Sequence, residues 1–397
     1  MGSDKRIFDF NNEFHNQGVE IIFTLPPPMR ELLEEDLRKK NIEKKSNING
    51  MLGFHVKMPP FASRLGRKNP FFSLPLLIVK FLFASIRNMK KINPDLVILN
   101  LSSHFPALLG LIVGKLFRKP TICDVPDLIT EYVAETLKLP FKSAFIHVLG
   151  FIEEFVLKHT DHNITCTKFI ADYFVHKGID PNRFSVVYTG IHPDFLKVRE
   201  NNRFPKNGNF FEVDYAGRID DWTGLDILLD AADKLKKNRI NARFNLFGHG
   251  NAKDRLESAV ITKGLQEYCI FHGYVPHERI IQRYNETDIA LCLFRSSLLT
   301  HAAMPVKLFE YLSMSLPVVA SNLKGIKEIV TDGKTAFILH HHSGEAMFNT
   351  LRGMIENKEK TREIALAGRA LVEQKYSWPK LASEYLSIIK TRVLAKE

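Results

Sequence analysis

Cysteine is scarce in this sequence, and its spacing gives no indication of a metal site. The 397 residues include four cysteines, which lie far apart and mostly in apolar segments: Cys123, Cys166, Cys269 and Cys292. Because no C-x-x-C pair occurs, we predict buried, reduced thiols in a cytoplasmic protein. The N-terminal letters MGSDKRIFDF lack the apolar core of a signal peptide, which agrees with that location.

Acidic residues are missing from residues 44–94, where ten Lys or Arg occur without one Asp or Glu. The whole chain has a net charge of +11, so we expect a negatively charged partner such as nucleic acid, anionic lipid or a phosphorylated substrate. Residues 71–85 form an apolar run that is shorter than the roughly 20 residues of a membrane span. Two interpretations stay open: an in-plane helix on an anionic membrane, or a core helix with a basic solvent face. Nucleic acid is disfavoured because this segment is strongly apolar and contains no known recognition module.

The length of 397 residues predicts two domains, and the order of the apolar segments predicts their class. Apolar β-type runs alternate with helical patterns, as in parallel sheets covered by helices on both faces. The strands expected in the first half are residues 19–24, 96–100, 121–123, 163–166 and 185–188. Those expected in the second half are residues 212–215, 244–247, 270–272, 289–293, 318–320 and 336–339, after a polar linker at 197–209.

The beginning of the sequence lacks an expected strand. Residues 4–16 form an amphipathic helical pattern after Gly2 and Ser3, which we predict as a loop. The apolar face of this helix consists of Ile7, Phe8, Phe10 and Phe14. In a doubly wound sheet, a buried strand precedes such a loop and helix. We therefore favour a truncated or misassigned start over a sheet that lacks its first strand.

Residues 300–321 predict an anion-binding turn. The pattern indicates a loop, a helix with Pro305 at its first position and the apolar strand 317–320. The amides of the next three residues, Val306, Lys307 and Leu308, are then donors at the positive end of a helix dipole. Glu310 follows Lys307 on the same face, roughly 4–5 Å further along the axis. Phosphates on the amides and Lys307, with sugar hydroxyls on Glu310, would suit a nucleotide diphosphate. The alternative is an ordinary solvated Lys–Glu pair.

Three short glycine sites follow expected strands in the second half. Gly217 precedes Arg218, which has the fork geometry to clamp a phosphate. Gly248 and Gly250 end the next strand, and glycine allows the backbone to approach a ligand closely. Gly273 ends a third strand, and backbone after it can meet a base edge. Each alone is more simply a surface arginine or an ordinary turn. Together with the loop before Pro305 they place four signals on one rim of one sheet, where ligands bind in open α/β folds.

In this order and spacing, the motifs resemble the retaining glycosyltransferases of family four, which have the GT-B fold. The resemblance covers nearly the whole chain and is most specific in residues 305–321. Its Pro-x-Lys version, Pro305-Val306-Lys307, is similar to one subgroup of that family. The resemblance implies two Rossmann-like domains with parallel sheets facing a central cleft. It also implies an acceptor-binding domain at 1–192, a nucleotide-sugar-binding domain at 193–375 and a terminal helix at 376–397 that crosses back to the first domain.

The resemblance also implies roles for individual residues. Arg218 and Lys307 would hold the departing diphosphate, Glu310 would hold the ribose, and backbone at Tyr274 and Val275 would receive the base. The full set implied for the donor is Gly2, Gly217, Arg218, Gly248, Gly250, Tyr274, Val275, Pro305, Val306, Lys307, Leu308 and Glu310. No cofactor and no metal are expected if these cations and the helix dipole stabilise the leaving group. With Arg218 and Lys307, Asp127 is the third candidate catalytic residue, as a contact to the sugar or acceptor; like Asp124, it is alternatively a helix cap.

The sequence departs from the family pattern in three places. Ala302 stands where the family often has a first glutamate, eight positions before Glu310, and Thr223 stands where a lysine is common. The family's histidine near the reacting sugar would fall at residues 124–127, which contain none. We predict a cytoplasmic enzyme, peripheral on the inner face of the cell membrane, that transfers a sugar to a lipid-linked or polysaccharide acceptor with retention of configuration. A nucleotide-sugar epimerase and a non-catalytic scaffold subunit are the alternatives.

Overall fold

The computed structural model describes residues 2–20, 22–25, 45–48, 51–55, 70–136, 142–191, 195, 204 and 210–396. The chain forms two compact units, the first from Met1–Val187 together with Leu381–Glu397 and the second from Tyr188–Lys380. The predicted linker at 197–209 lies outside the described residues except for Phe204. The roles predicted for 1–192, 193–375 and 376–397 stay predictions.

Within its described residues, the first unit contains two sheets. Helix α1 (Gly2–Asn16) precedes a sheet in which β1 (Ile22–Leu25) runs parallel to β3 (Met51–His55), which pairs antiparallel with β2 (Lys45–Ile48). The second sheet is parallel, in the order β4, β5, β6, β7: Val97–Asn100, Thr121–Val125, His162–Thr165 and Phe184–Val186. Its helices are α2 (Pro70–Ile92), α3 (His104–Leu116), α4 (Ile129–Thr136), α5 (Lys142–His159) and α6 (Lys168–His176). Strand β5 is buried along its whole length, as expected of a central parallel strand.

Two expectations about the first unit are wrong. Gly2 and Ser3 belong to the first turn of α1 rather than to a loop, because the first amides of a helix need no intrahelical acceptor. Strands β2 and β3 lie within the basic segment and were not expected as strands. Phe10 and Phe14 are buried as expected, whereas the side chains of Ile7 and Phe8 lie outside the described residues. The expectation about a strand before α1 stays a prediction.

In the part of it that the structure describes, the second unit is built on one parallel sheet of six strands: β8 (Phe211–Ala216), β9 (Ala242–Phe247), β10 (Cys269–Gly273), β11 (Ile289–Cys292), β12 (Val318–Ser321) and β13 (Phe337–Leu339). Their order in the sheet is β10-β9-β8-β11-β12-β13. All six expected strands are confirmed, with bounds that differ by one or two residues. The helices are α7 (Ile227–Lys237), α8 (Lys253–Thr262), α9 (His277–Arg283), α10 (Leu298–Ala302), α11 (Val306–Ser313), α12 (Lys324–Ile329), α13 (Gly344–Glu356) and α14 (Lys358–Lys375), before the terminal α15 (Trp378–Ile388).

Both faces of this second sheet are covered. Ile289 and Leu291 of β11 belong to one buried apolar cluster, while Ala290 and Cys292 belong to another. Because successive strand residues point to opposite faces, the two clusters are the two helix-covered sides of the sheet. The predicted class, two α/β domains with parallel sheets, is thereby confirmed. Among the helices of the described residues, none combines the length and the hydropathy of a bilayer-crossing segment.

Candidate functional site

The strand order of the second unit fixes where a ligand is expected. Strand β8 pairs with β9 on one side and with β11 on the other, so the order of the chain reverses between β8 and β11. In open α/β sheets, a crevice for ligands forms outside the carboxyl ends of the strands at this switch point. The residues after β8 start with Gly217, and those after β11 lead into α10 and α11. The predicted motifs therefore meet at the switch point.

Backbone hydrogen bonds join the loops that follow β8, β9 and β10. The Gly217 amide donates to Phe247 O over 2.9 Å, and the Gly248 amide donates to Gly273 O over 2.7 Å. A Cβ atom on Gly248 would lie 1.8 Å from Gly217 O, and Gly248 has φ 145°, so only glycine fits there. Gly250 is similar, because its Cβ would lie 2.2 Å from Ile219 O. These two glycines hold the loops together.

Lys307 reaches the switch point. Its Nζ lies 4.1 Å from the ring centroid of Tyr215 and 5.5 Å from that of Phe294, within range of cation–π attraction. A Cβ on Gly217 would lie only 2.5 Å from this Nζ, so the missing side chain of Gly217 makes room for the ammonium group. The predicted association of Gly217 with Lys307 at one rim is thus present in the structure.

The anion-binding turn differs from the prediction in two details. Helix α11 starts at Val306, and Pro305 is its N-cap with ψ 117°, so the expected first helical position of Pro305 is wrong by one residue. The Leu308 amide donates to Pro305 O over 3.0 Å and is therefore not a free donor. Only the amides of Val306 and Lys307 precede the first hydrogen bond of the helix. The positive end of the dipole stays at the predicted turn, with two amides instead of three.

Arg218 is held beside Gly217 by an ion pair. Its Nε donates to Asp220 Oδ2 over 2.5 Å and its Nη2 to Oδ1 over 3.2 Å, while 64% of its side chain is exposed. Asp220 also accepts from the Asn251 amide and from Trp222 Nε1. Burial works against ionisation, but these hydrogen bonds, led by that of Arg218, lower the pKa of Asp220. The guanidinium is therefore already oriented before any phosphate binds.

Glu310 is buried and has a partner that the sequence analysis missed. Only 7% of its side chain is exposed, and its Oε1 lies 3.0 Å from His277 Nε2 at the start of α9. Burial, reinforced by the charge of Glu310, raises the pKa of the nearby Tyr284 well above its usual range. The available signal for His277 was its place three residues after Tyr274, in a loop already identified as part of the rim.

The loop expected to receive a base already makes contacts within the protein, through the amide and the ring of Tyr274. The Tyr274 amide donates to His249 Nε2 over 3.1 Å, and the two rings lie nearly parallel with centroids 6.3 Å apart. His249, which follows Gly248, therefore already accepts from the Tyr274 amide, and the expectation that backbone at Tyr274 and Val275 receives a base stays a prediction. The Tyr274 ring itself is 71% exposed. Val275 is half-buried against the apolar cluster that includes Tyr284.

The candidate acidic residues of the first unit have different surroundings. Asp124, in β5, is buried and forms an ion pair with Arg6 of α1, Nη2 to Oδ1 over 3.2 Å. Burial opposes the charge of Arg6, but Asp124 raises the pKa of that guanidinium overall. Asp127 is exposed at the bend between β5 and α4. Asp124 therefore anchors α1 to the sheet, whereas Asp127 is accessible to a ligand.

A buried polar cluster at the carboxyl ends of β4 and β5 was also missed. His104, the first residue of α3, has its Nε2 2.7 Å from Thr130 Oγ1, and Thr130 hydrogen-bonds Glu153 of α5. Burial lowers the pKa of His104 to about 4. Burial also raises the pKa of Glu153 to about 7, and its Oε1 has no hydrogen-bond partner. The sequence around His104, SSHFPALL, does not predict this cluster, because the partners of His104 come from other segments of the chain.

Cysteines and potential metal ligands are the remaining groups that could take part in chemistry. All four cysteines are buried free thiols, as predicted. Within the ranges that the structure describes, no group of three or more His, Cys, Asp or Glu side chains is arranged to hold a metal ion. The expectation that no metal is required stays a prediction.

Two family models match the chain in succession. Residues 2–195 match the model described as "Glycosyltransferase Family 4", and residues 197–371 match the model described as "Glycosyl transferases group 1". Among sequence relatives, an uncharacterized glycosyltransferase of Methanocaldococcus jannaschii is 22% identical over 315 residues, which is 77% of each chain. The lipopolysaccharide 1,2-N-acetylglucosaminetransferase of Salmonella typhimurium is 28% identical over 179 residues, covering 43% of this chain and 46% of that protein.

Solved structures share the fold. The crystal structure of Anabaena HepE in complex with UDP has a TM-score of 0.73 and 15% identity, and the match covers 98% of this chain and 96% of that one. A glycosyltransferase from Rickettsia africae has a TM-score of 0.70 and 16% identity, with 98% and 94% covered. At these identities the likeness concerns the fold alone.

Proposed function

Because two glycosyltransferase models together match residues 2–371, the chain is a glycosyltransferase of the GT-B fold, and we propose that it transfers a hexose from a nucleotide-sugar to a glycan or lipid-linked acceptor. The second unit would bind the donor and residues 1–192 the acceptor. The observation that carries the proposal is the position of Lys307 Nζ against Gly217, at the switch point of the six-stranded sheet.

The chemistry proposed for this site is stabilisation of a departing diphosphate. Lys307 supplies a full charge, Arg218 supplies a second one nearby, and the amides of Val306 and Lys307 supply the helix dipole. Charge that develops on the leaving oxygen is then met by groups already in position, without a metal. Glu310, held by His277, would accept hydrogen bonds from the ribose hydroxyls. Asp127 would contact the sugar or acceptor.

A uridine nucleotide is the first donor to test, because the structurally similar HepE was crystallised with UDP and with UDP-glucose. For the acceptor, the relatives include a lipopolysaccharide N-acetylglucosaminetransferase and a poly(ribitol-phosphate) N-acetylglucosaminyltransferase of Staphylococcus aureus. These names favour a polymeric or lipid-bearing glycan as the class of acceptor to test first. We place the enzyme in the cytoplasm, at the inner face of the cell membrane, on the evidence of its basic segment at 44–94. Residues 44, 49–50 and 56–69 of that segment lie outside the described residues.

Substitution of Lys307 tests the proposed donor site. We expect Lys307→Ala to weaken UDP binding at least tenfold and to lower turnover at least 100-fold, since a preorganised cation is lost from the leaving group. Lys360→Ala, on the exposed surface of α14, is the matched control and should leave both unchanged. Titration calorimetry with UDP and release of UDP from the donor give the two readouts. Unchanged UDP affinity in Lys307→Ala would contradict the site.

Retention of configuration is proposed from the resemblance and needs its own test. The coupling constant of the anomeric proton of the product, compared with that of the donor, distinguishes retention from inversion.

Incubation with donor alone distinguishes the alternative functions: an epimerase converts the donor, whereas a transferase leaves most of it intact. The scaffold alternative is favoured by Ala302, which is buried where the family often carries a glutamate. UDP binding without any turnover on polysaccharide or lipid-linked acceptors would support it.

A further inference from the structure

Three neighbouring helices of the first unit carry large apolar side chains on their outer surfaces. These residues are Val79 and Phe83 of α2, Ile112 and Leu116 of α3, and Val148 and Phe151 of α5, which we call the outer helix face. Phe83, Leu116 and Phe151 are 68%, 66% and 70% exposed, respectively. Isolated exposed apolar residues are normal in proteins, but a contiguous group of this size indicates an interaction surface.

The outer helix face is contiguous because its helices lie side by side. Helix α2 packs against α3, and α3 packs against α5. Phe81 and Leu109 form a small buried cluster between α2 and α3, so their neighbours on the opposite side of each helix face solvent. The apolar pairs are four residues apart in α2 and α3 and three apart in α5, and each pair therefore lies on one helical face.

Basic residues accompany this apolar face. Residues 70–119, which include α2 and α3, contain seven Lys or Arg and a single acidic residue, Asp95, whereas α5 has two Lys and two Glu and contributes no excess of either sign. Arg87 and Lys90 continue the stripe of Val79 and Phe83 along α2, and both are exposed. Arg118, just after α3, is exposed as well, whereas Lys115 is paired with Asp161 over 2.8 Å. An apolar stripe bordered by unpaired positive charge is the composition of a helix that lies in a membrane interface.

We propose that the outer helix face docks on an anionic lipid bilayer, with α2, α3 and α5 lying in the plane of the headgroups. The inference rests on the membrane part of the proposed function, and it extends the contact from residues 44–94 to α3 and α5. The positive charge around the outer helix face favours an anionic membrane over a second copy of the chain as its partner. In a symmetric contact with a second copy, the basic borders would face one another, which disfavours dimerisation through this surface.

Vesicle binding by the full chain tests the docking surface. We expect the protein to co-sediment with vesicles of phosphatidylglycerol and phosphatidylcholine at low salt, and about tenfold or more weakly with phosphatidylcholine alone. The double substitution of Phe83→Ser with Phe151→Ser should reduce binding to the anionic vesicles at least tenfold, because two large apolar side chains no longer insert. Ile261→Ser in α8, which removes a side chain of similar exposure from the second unit, should bind as the parent does.

A fluorescent reporter locates the contact independently. Phe151→Trp should show a blue shift and increased emission on addition of anionic vesicles, whereas Ile261→Trp should show neither. Equal binding to neutral and anionic vesicles, or unchanged binding by the double variant, would overturn the proposal. So would a parent protein that is dimeric without lipid and a double variant that is monomeric, because the face would then be a contact between copies.

The same samples separate this proposal from the donor site. The double variant should bind UDP with parental affinity, since both substitutions lie in the first unit, and Lys307→Ala should pellet with anionic vesicles like the parent. Loss of UDP binding by Lys307→Ala with no lipid binding by any variant would leave the glycosyltransferase standing and remove the docking surface. If the parent binds lipid but not UDP, the docking surface stands and the proposed donor site is removed.

Discussion

At the scale of single residues, the candidate site is a meeting of side chains that are far apart in sequence. Lys307 and Gly217 are 90 positions apart, and His277 and Glu310 are 33 apart. The residue types were predictable, because Pro-x-Lys before a helix and glycine after a strand have direct physical meaning. Their position on one rim was predictable too, but the direct approach of Lys307 to Gly217 was not, because it depends on the sheet order β9-β8-β11, which no local pattern encodes.

His277 is expected to act as a positioning residue for Glu310. In His277→Ala the buried carboxylate loses the partner at 3.0 Å, so its orientation toward a ribose is less well fixed. We expect the KM for the donor to rise about three- to tenfold while kcat stays within about twofold. Steady-state kinetics with varied donor provide the check. His340→Ala, which breaks the solvent-exposed pair with Asp332, is the control and should change neither constant.

Glu153 should make the stability of the first unit depend on pH. Its pKa rises from an ordinary 4.5 to about 7 on burial, so the folded state binds a proton that the unfolded state has released. This contribution is fully present below about pH 4.5 and is lost as the pH rises through 7. Glu153→Gln should therefore gain about 2–3 kcal/mol relative to the parent between pH 5 and pH 8.

Urea unfolding at both pH values measures this difference, in which the titration of all other groups cancels. Glu154→Gln, one residue along α5, is the control: its side chain is half-buried and pairs with Lys158 over 3.3 Å. It should show no comparable change with pH. A Glu153→Gln variant whose stability follows that of the parent at every pH would contradict the assignment.

At the scale of elements, helix α9 connects the sheet to the candidate site. His277 starts this helix and Arg283 ends it, with Arg283 Nε donating to Asp214 Oδ2 over 2.7 Å and Nη2 to Glu212 Oε2 over 2.9 Å. Asp214 is buried in β8, three positions before Gly217, where the switch-point loop starts. The ion pair therefore fixes the end of the helix that His277 does not touch.

Removing this anchor should be costly. Arg283→Ala leaves Asp214 buried without its cation, for which we expect a loss of about 3–5 kcal/mol in the free energy of unfolding. Arg279→Ala, on the exposed side of the same helix, should change it by less than about 0.5 kcal/mol. Chemical unfolding followed by circular dichroism compares the two. A small effect of Arg283→Ala would mean that α9 is held mainly by its apolar contacts.

Some strands could be predicted from the sequence and others could not. The six strands of the second unit were predictable because each is a short segment rich in apolar residues that is followed within a few residues by glycine or a polar residue. Strands β2 and β3 were missed because their letters, KSNI and MLGFH, are weakly apolar and lie in a basic segment. The dipeptide Asn49-Gly50 between them is a recognised hairpin signal and would have indicated the pair.

At the scale of the whole molecule, the two α/β units were predictable from length and from the alternation of strands and helices. The split of the first unit into a three-stranded and a four-stranded sheet was not, because strand partners are chosen by packing rather than by local propensity. The outer helix face was only half anticipated. The charge of residues 44–94 indicated α2, whereas the exposed side chains of α3 and α5 follow from which helices are neighbours.

The division into units leads to an expectation about ligand-linked stability. A ligand that binds only the native second unit stabilises it by about 2.7 kcal/mol at 100 times its Kd. We expect UDP to slow amide hydrogen exchange within Tyr188–Lys380, most strongly in β8, β11 and α11, and to leave β4–β7 unchanged. Hydrogen–deuterium exchange followed by mass spectrometry measures this protection segment by segment. Uniform protection of both units would contradict a donor site formed mainly by the second unit.

Helix α15 makes the first unit depend on residues that follow the second unit along the chain. Tyr385 packs against Phe10 and Phe14 with ring centroids 5.2 Å away in each case, so this core combines α1 with a helix that comes after the second unit. The second unit, in contrast, is complete once Lys380 has been added. Domains usually fold in order from the amino end as the ribosome extends the chain. Here the second unit can reach its native state first, and the first unit finishes only after the residues that follow Lys380 have been added.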